Sequence, residues 1–93
     1  VPDCTEPVWH LFVVRSAARS DLISRLDEHR IETLIHYPIP PHLQEAYAEE
    51  KARISPQRVT EQLANEVLSL PIHPFQKHEQ TRQVVAALSS ALQ

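Results

Sequence analysis

Val8-Trp9-His10-Leu11-Phe12-Val13-Val14, then Ser20-Asp21-Leu22-Ile23-Ser24-Arg25-Leu26, then Ile31-Glu32-Thr33-Leu34-Ile35-His36 are the stretches that decide the fold. The first is β-branched and aromatic with a continuous apolar end, which predicts a buried strand over 8–14. Arg15 to Arg19 makes the turn. In the second, Ser20 stands where an N-cap belongs and Asp21 opposes the helix dipole. Leu22, Ile23 and Leu26 then line one face of a helix running to about His29. The third predicts a short strand. Strand, helix and strand in this order form a βαβ-type unit whose pairing direction stays open.

Upstream, Val1 to Pro7 holds two prolines and no periodicity, an extended lead-in. Downstream, Tyr37-Pro38-Ile39-Pro40-Pro41 cannot be helical, because Tyr37, Ile39 and Pro40 each precede a proline. The segment is stiff. His42 to about Glu50 predicts a helix with Leu43, Ala46 and Tyr47 on one face. A further helix starts at Ser55 as cap and Pro56 as first residue. It continues through Val59, Leu63, Val67 and Leu70 and ends at Pro71. Ile72-His73-Pro74-Phe75 is extended. A last helix from about Lys77 to Leu92 buries Val84, Val85, Leu88 and Leu92. The sum is an α+β single small domain over 1–93, a small antiparallel or mixed sheet covered by helices.

Composition narrows the function. With 93 residues there is room for one core. Apolar residues at 42% and charged residues at 23% suit a soluble globular chain. The net charge of −3 without a basic stripe argues against nucleic acid and anionic membrane as partners. The longest apolar run, Val84 to Leu88, is too short to span a bilayer. Cys4 is the only cysteine, so an intrachain disulfide is impossible and a cytoplasmic home is the default. There is no glycine. Walker loops, G-x-G-x-x-G turns and G-x-S-x-G elbows all need one, so those enzyme classes are excluded.

The six histidines match no zinc spacing, and scattered half-buried or surface positions account for them. Cys4, beside Asp3 and Glu6, reads as an ordinary thiol. Ser16, Ser20 and Ser24 read as turn, cap and exposed helix positions, and Glu49 and Glu50 as a solvated helix end. His36-Tyr37-Pro38-Ile39-Pro40-Pro41-His42 is different in kind. Two imidazoles and a phenol ride on a backbone that proline restrains, a good way to present polar groups to a ligand. A plain turn with Tyr37 packed on the core is the competing reading.

The order His10 to Arg15, then a helix, then Ile35-His36-Tyr37-Pro38-Ile39-Pro40-Pro41-His42-Leu43-Gln44 and Ala46-Tyr47 resembles the C-terminal region of the DegT/DnrJ/StrS-type nucleotide-sugar aminotransferases. Ala64-Asn65-Glu66-Val67-Leu68-Ser69-Leu70-Pro71-Ile72-His73-Pro74 is similar to that family's closing "EVLSLP" stretch. Together they cover about His10 to Leu92. The resemblance implies a fold-type-I aminotransferase: a cytoplasmic homodimer that moves an amino group from glutamate to a keto sugar on a nucleoside diphosphate. Polysaccharide, lipopolysaccharide and deoxyaminosugar biosynthesis are the settings it implies. A large N-terminal domain would hold PLP, and the small C-terminal domain would close one side of the cleft. Residues matching His36 and Tyr37, with His42 behind them, would lie near the sugar. The His-Tyr-Pro-x-Pro form looks most like members that aminate C3.

Two departures stand out. The family usually has glycine where the first helix ends, and Arg30 takes that place here. A glycine-containing turn is replaced by Lys51-Ala52-Arg53-Ile54-Ser55. PLP chemistry needs a lysine, an acid for the pyridinium and a phosphate cup. Lys51 and Lys77 are the only lysines and neither matches the family's position. The expectation is therefore a C-terminal fragment, silent alone, with no catalytic residue, metal or bound cofactor of its own. Val1 in mid-pattern and the absence of methionine point the same way. The alternatives are a free-standing binding module of the same fold and, more remotely, a histidine-based metal binder.

Overall fold

Pro71 disfavours helical geometry at Leu70, and the helix expected to run that far ends instead at Glu66. The computed structural model describes the backbone of residues 1–93 and the side chains of all but 51 and 52. Lys51 and Ala52, named above in the polar turn, thus lie outside the described side chains. Val67–Leu70 leaves the helix as a strand, β2, paired antiparallel with β1, Phe12–Arg15. The register sets Phe12 against Leu70, Val13 against Ser69, Val14 against Leu68 and Arg15 against Val67. A short apolar run is readable as either helix or strand by periodicity, and here burial of Leu68, Ser69 and Leu70 belongs to a strand.

The strand expected over 31–36 is reduced to a single antiparallel bridge. Leu34 N–H donates to the Ser69 carbonyl at 3.2 Å, and Ser69 N–H donates to that of Leu34 at 2.7 Å. β2 is thus flanked by β1 and by Leu34. Side chains alternate across a strand, so Val14, Leu68 and Leu70 point into the core while Val13 and Ser69 share the opposite face. Two helices, α1 (Arg19–Glu28) and α3 (His78–Ala91), cover the core face. Leu22 and Leu26 from α1, Leu68 and Leu70, and Val84 and Ala87 from α3 form that core, with Ile23, Ile31, Ile35 and Leu88 around it.

Several boundaries differ from expectation. β1 starts at Phe12, and Phe12 and Val13 remain 41% and 46% exposed. The Trp9 ring lies against Phe12, centroids 5.1 Å apart, yet Phe12 and Val13 keep this exposure, so the apolar run that predicts burial is only half buried. Ala18, not Ser20, takes the cap position of α1, and the Ser16 hydroxyl accepts from Ala18 N–H at 3.2 Å. His42 to Glu50 forms 3-10 turns, Pro41–Leu43 and Glu45–Arg53, because this polar run has little to pack on. Helix α2 is Arg58–Glu66. Gln57 breaks helical geometry before it and its side chain donates to the Ser55 carbonyl at 3.2 Å, so Ser55 and Pro56 fall outside. Val59, expected on the apolar stripe, is exposed. His73 to Gln76 is a turn, closed by Gln76 N–H on the His73 carbonyl at 3.1 Å. Val85 and Leu92 are exposed because α3 meets the core along a narrower stripe than its sequence suggests.

Helix α1 ends in a Schellman motif. Ile31 N–H donates to the Leu26 carbonyl and Arg30 N–H to that of Asp27, both at 2.9 Å, with Arg30 at φ 59°. At the other side of the molecule Arg15 pairs with Glu66, and Ser16 N–H donates to the Glu66 carbonyl at 2.9 Å. The Arg19 guanidinium donates to the Ala64 carbonyl at 2.5 Å. Among the described residues no helix is long and apolar enough to cross a membrane.

Candidate functional site

The open face of the sheet carries the site. Ser69 projects there, and the imidazole of His36 lies over it, Nδ1 at 2.8 Å from the hydroxyl. The peptide between His36 and Tyr37 is cis. Tyr37 meets His36 edge-on, with ring centroids 5.2 Å apart at 88°. Its side chain is free of the core, the residue being 69% exposed, so the reading of Tyr37 as a packed turn residue is set aside. Pro40 is buried beneath the segment, which anchors the proline run to the body.

His42 points elsewhere. Its Nε2 lies 2.9 Å from Glu61 Oε1 on α2, and its side chain is 12% exposed. The structure therefore brings His36 and Tyr37 together at one surface and sets His42 behind them as a strut between the loop and α2. His36 forms the wall between two hollows. One, of about 280 Å³, is lined by Tyr37, Pro40, Gln44, Thr60 and Leu63. The other, of about 490 Å³, is lined by His10, Asp27, Glu32, Thr33 and Leu34. Both are mostly apolar with a few polar groups, the makeup of small-molecule sites.

Ser69 and Glu61 escape a reading of the sequence alone because they lie 33 and 19 residues from the histidines they hold. One signal was present: Ser69 is the single polar residue in Val67-Leu68-Ser69-Leu70. The remaining candidates do not assemble. Cys4 is exposed, and Glu50 pairs with Arg53 at the surface. Among the described residues no group of three His, Cys, Asp or Glu side chains could hold a metal ion.

The described residues do not fit a PLP site. Lys77 is exposed at the N-cap of α3 and lines neither hollow. Without glycine the backbone also lacks the usual close approach to a phosphate.

The chain is a small α+β unit that presents a His-Tyr pair on a proline-stiffened loop. The chain belongs to the DegT/DnrJ/EryC1/StrS aminotransferase family, whose model matches residues 2–89. It is 47% identical over 89 residues to a dTDP-3-amino-3,6-dideoxy-alpha-D-galactopyranose transaminase of Aneurinibacillus thermoaerophilus. That match takes in 96% of this chain and 24% of the relative. It is likewise 47% identical over 87 residues to a dTDP-3-amino-3,4,6-trideoxy-alpha-D-glucose transaminase of Streptomyces venezuelae, covering 94% of this chain and 23% of that one. A solved structure of S. venezuelae DesV in complex with a ketimine intermediate superimposes over 100% of this chain and 25% of its own, with a TM-score of 0.82 at 44% identity. The chain thus spans about a quarter of the length of its relatives, matching their C-terminal part. The family's aminotransferases are PLP-dependent in general.

Proposed function

We propose that residues 1–93 are the C-terminal small domain of a PLP-dependent transaminase that moves an amino group from glutamate to C3 of a keto sugar on a nucleoside diphosphate. The domain closes one side of a cleft, and the cofactor with its lysine belongs to the longer protein. The observation that carries this reading is the unfinished surface. The chain exposes 7810 Å², where a compact monomer of 10.7 kDa exposes about 5500 Å². Its radius of gyration is 16.1 Å, against about 12 Å for a self-contained domain of this length. Relatives named for 3-amino sugars support the position of amination. A cytoplasmic homodimer in deoxyaminosugar or surface-polysaccharide synthesis is the setting that goes with it.

In this reading Tyr37 and His36 touch the sugar, His42 braces their loop through Glu61, and the apolar hollows exclude water. None of the three takes part in bond making.

The test uses the longer protein. With PLP added, its visible spectrum should shift on addition of glutamate and return on addition of a keto sugar nucleotide. His36→Leu should raise the sugar KM about five- to tenfold, the worth of one hydrogen bond to a neutral partner, with a smaller change for glutamate. Absence of a PLP band in the longer protein would overturn the transaminase in favour of a binding module.

A further inference from the structure

Ser69 is 5% exposed in the middle of β2, and its backbone N–H and C=O are both taken by Leu34. Its hydroxyl has one partner among the described residues, His36 Nδ1 at 2.8 Å. A serine hydroxyl carries one proton and two lone pairs. If Nδ1 were protonated, the hydroxyl would accept, and its own proton would be left in a buried place with no acceptor. A buried donor without a partner costs more than a made hydrogen bond gains.

We propose that Ser69 is a positioning residue that donates to Nδ1 and fixes His36 as the Nε2–H tautomer, so that His36 meets the sugar as a hydrogen-bond donor. The role rests on the reading of His36 as a sugar contact given above. With Nδ1 tied to β2, Nε2 points away from the strand, and it has no protein partner among the described residues. The edge-on ring of Tyr37 limits rotation on one side. A neutral ring in this tautomer offers one N–H and no lone pair outward, which suits a sugar or keto oxygen and not proton abstraction. The second tie of the other histidine, His42 to Glu61, is of a different kind, because a carboxylate can only accept.

The test is on the full-length protein labelled with ¹⁵N-histidine, reading the His36 ring by long-range ¹H–¹⁵N correlation, assigned by its loss in His36→Gln. Protonated Nε2 and bare Nδ1 are expected. Ser69→Ala, which removes only the hydroxyl oxygen, should cut that preference about fivefold, the equilibrium equivalent of one neutral hydrogen bond. Ser69→Thr should preserve it. A proton on Nδ1 in the unaltered protein, or a tautomer unmoved by Ser69→Ala, overturns the proposal. Kinetics of the reverse transfer, with dTDP-3-amino-3,6-dideoxy-α-D-galactopyranose as the probe amino donor and 2-oxoglutarate as acceptor, give a second readout. Ser69→Ala should raise its KM about fivefold in the native background and not in His36→Gln. Equal rises in both backgrounds would make Ser69 merely structural and overturn the role. If His36→Leu leaves the probe's KM unchanged while Ser69 still sets the tautomer, it is the sugar-contact reading that fails.

Discussion

Arg30 holds a backbone conformation that glycine takes without strain. At φ 59° its Cβ crowds the following carbonyl, yet the Schellman hydrogen bonds and the packing of Ile31 on the core keep it there. Arg30→Gly should stabilise the fold by about 0.5–1 kcal/mol, the strain relieved less the added entropy of an unfolded glycine. Urea unfolding monitored by circular dichroism reads this directly; unchanged or lower stability would show that Arg30's side chain compensates. At this scale much was legible in the sequence. The family's usual glycine marked position 30, and three prolines marked His36 and Tyr37 as presented groups. What was not legible was the company those groups keep, because Ser69 and Glu61 reach them only through tertiary contacts.

Between elements, the sharpest difference lies at α2 and β2. Val59, Leu63, Val67 and Leu70 have helical spacing, but Val67–Leu70 is the strand that organises the sheet. Local periodicity cannot see that β1 and Leu34 offer hydrogen bonds on both edges, and that offer decides the matter. The junction is fastened by Arg15, at the end of β1, to Glu66, at the end of α2. The Arg15 guanidinium holds the Glu66 carboxyl below its ordinary value of 4.5, helped by the Gln62 amide at 3.2 Å and by the Arg15 charge, against a smaller upward push from burial. A carboxyl with a lowered folded value contributes stability that is complete above its unfolded value and is lost as pH falls through the folded one. Stability should therefore drop below about pH 4.5, and Glu66→Gln should make that acid-side slope shallower. Urea midpoints measured between about pH 3 and pH 6 check it; an identical slope in the variant would assign the acid sensitivity to other carboxyls.

Over the whole molecule, Trp9, Phe12, Val13, Phe75 and Val85 leave apolar surface facing outward. Such surface on a small chain is a site of association. Expressed alone, residues 1–93 should bind a dye such as ANS and self-associate at micromolar concentration, and the longer protein should do neither. Sedimentation velocity with dye fluorescence would decide it, and a monodisperse, dye-free 93-residue chain would contradict the view of its surface as unfinished. The same surface explains why a fully buried first strand was the wrong expectation: of its apolar residues, Phe12 and Val13 stay largely exposed and Val14 packs against the core. The direct passage from Glu66 to Val67, with no loop residue between them, has a consequence for evolutionary tinkering. One residue inserted there would reverse the alternation of β2, turning Ser69 inward and a leucine toward His36. The 3-10 run Glu45–Arg53 has no such parity to protect. Length differences among related chains should accumulate in that run, while the join of helix and strand keeps its count.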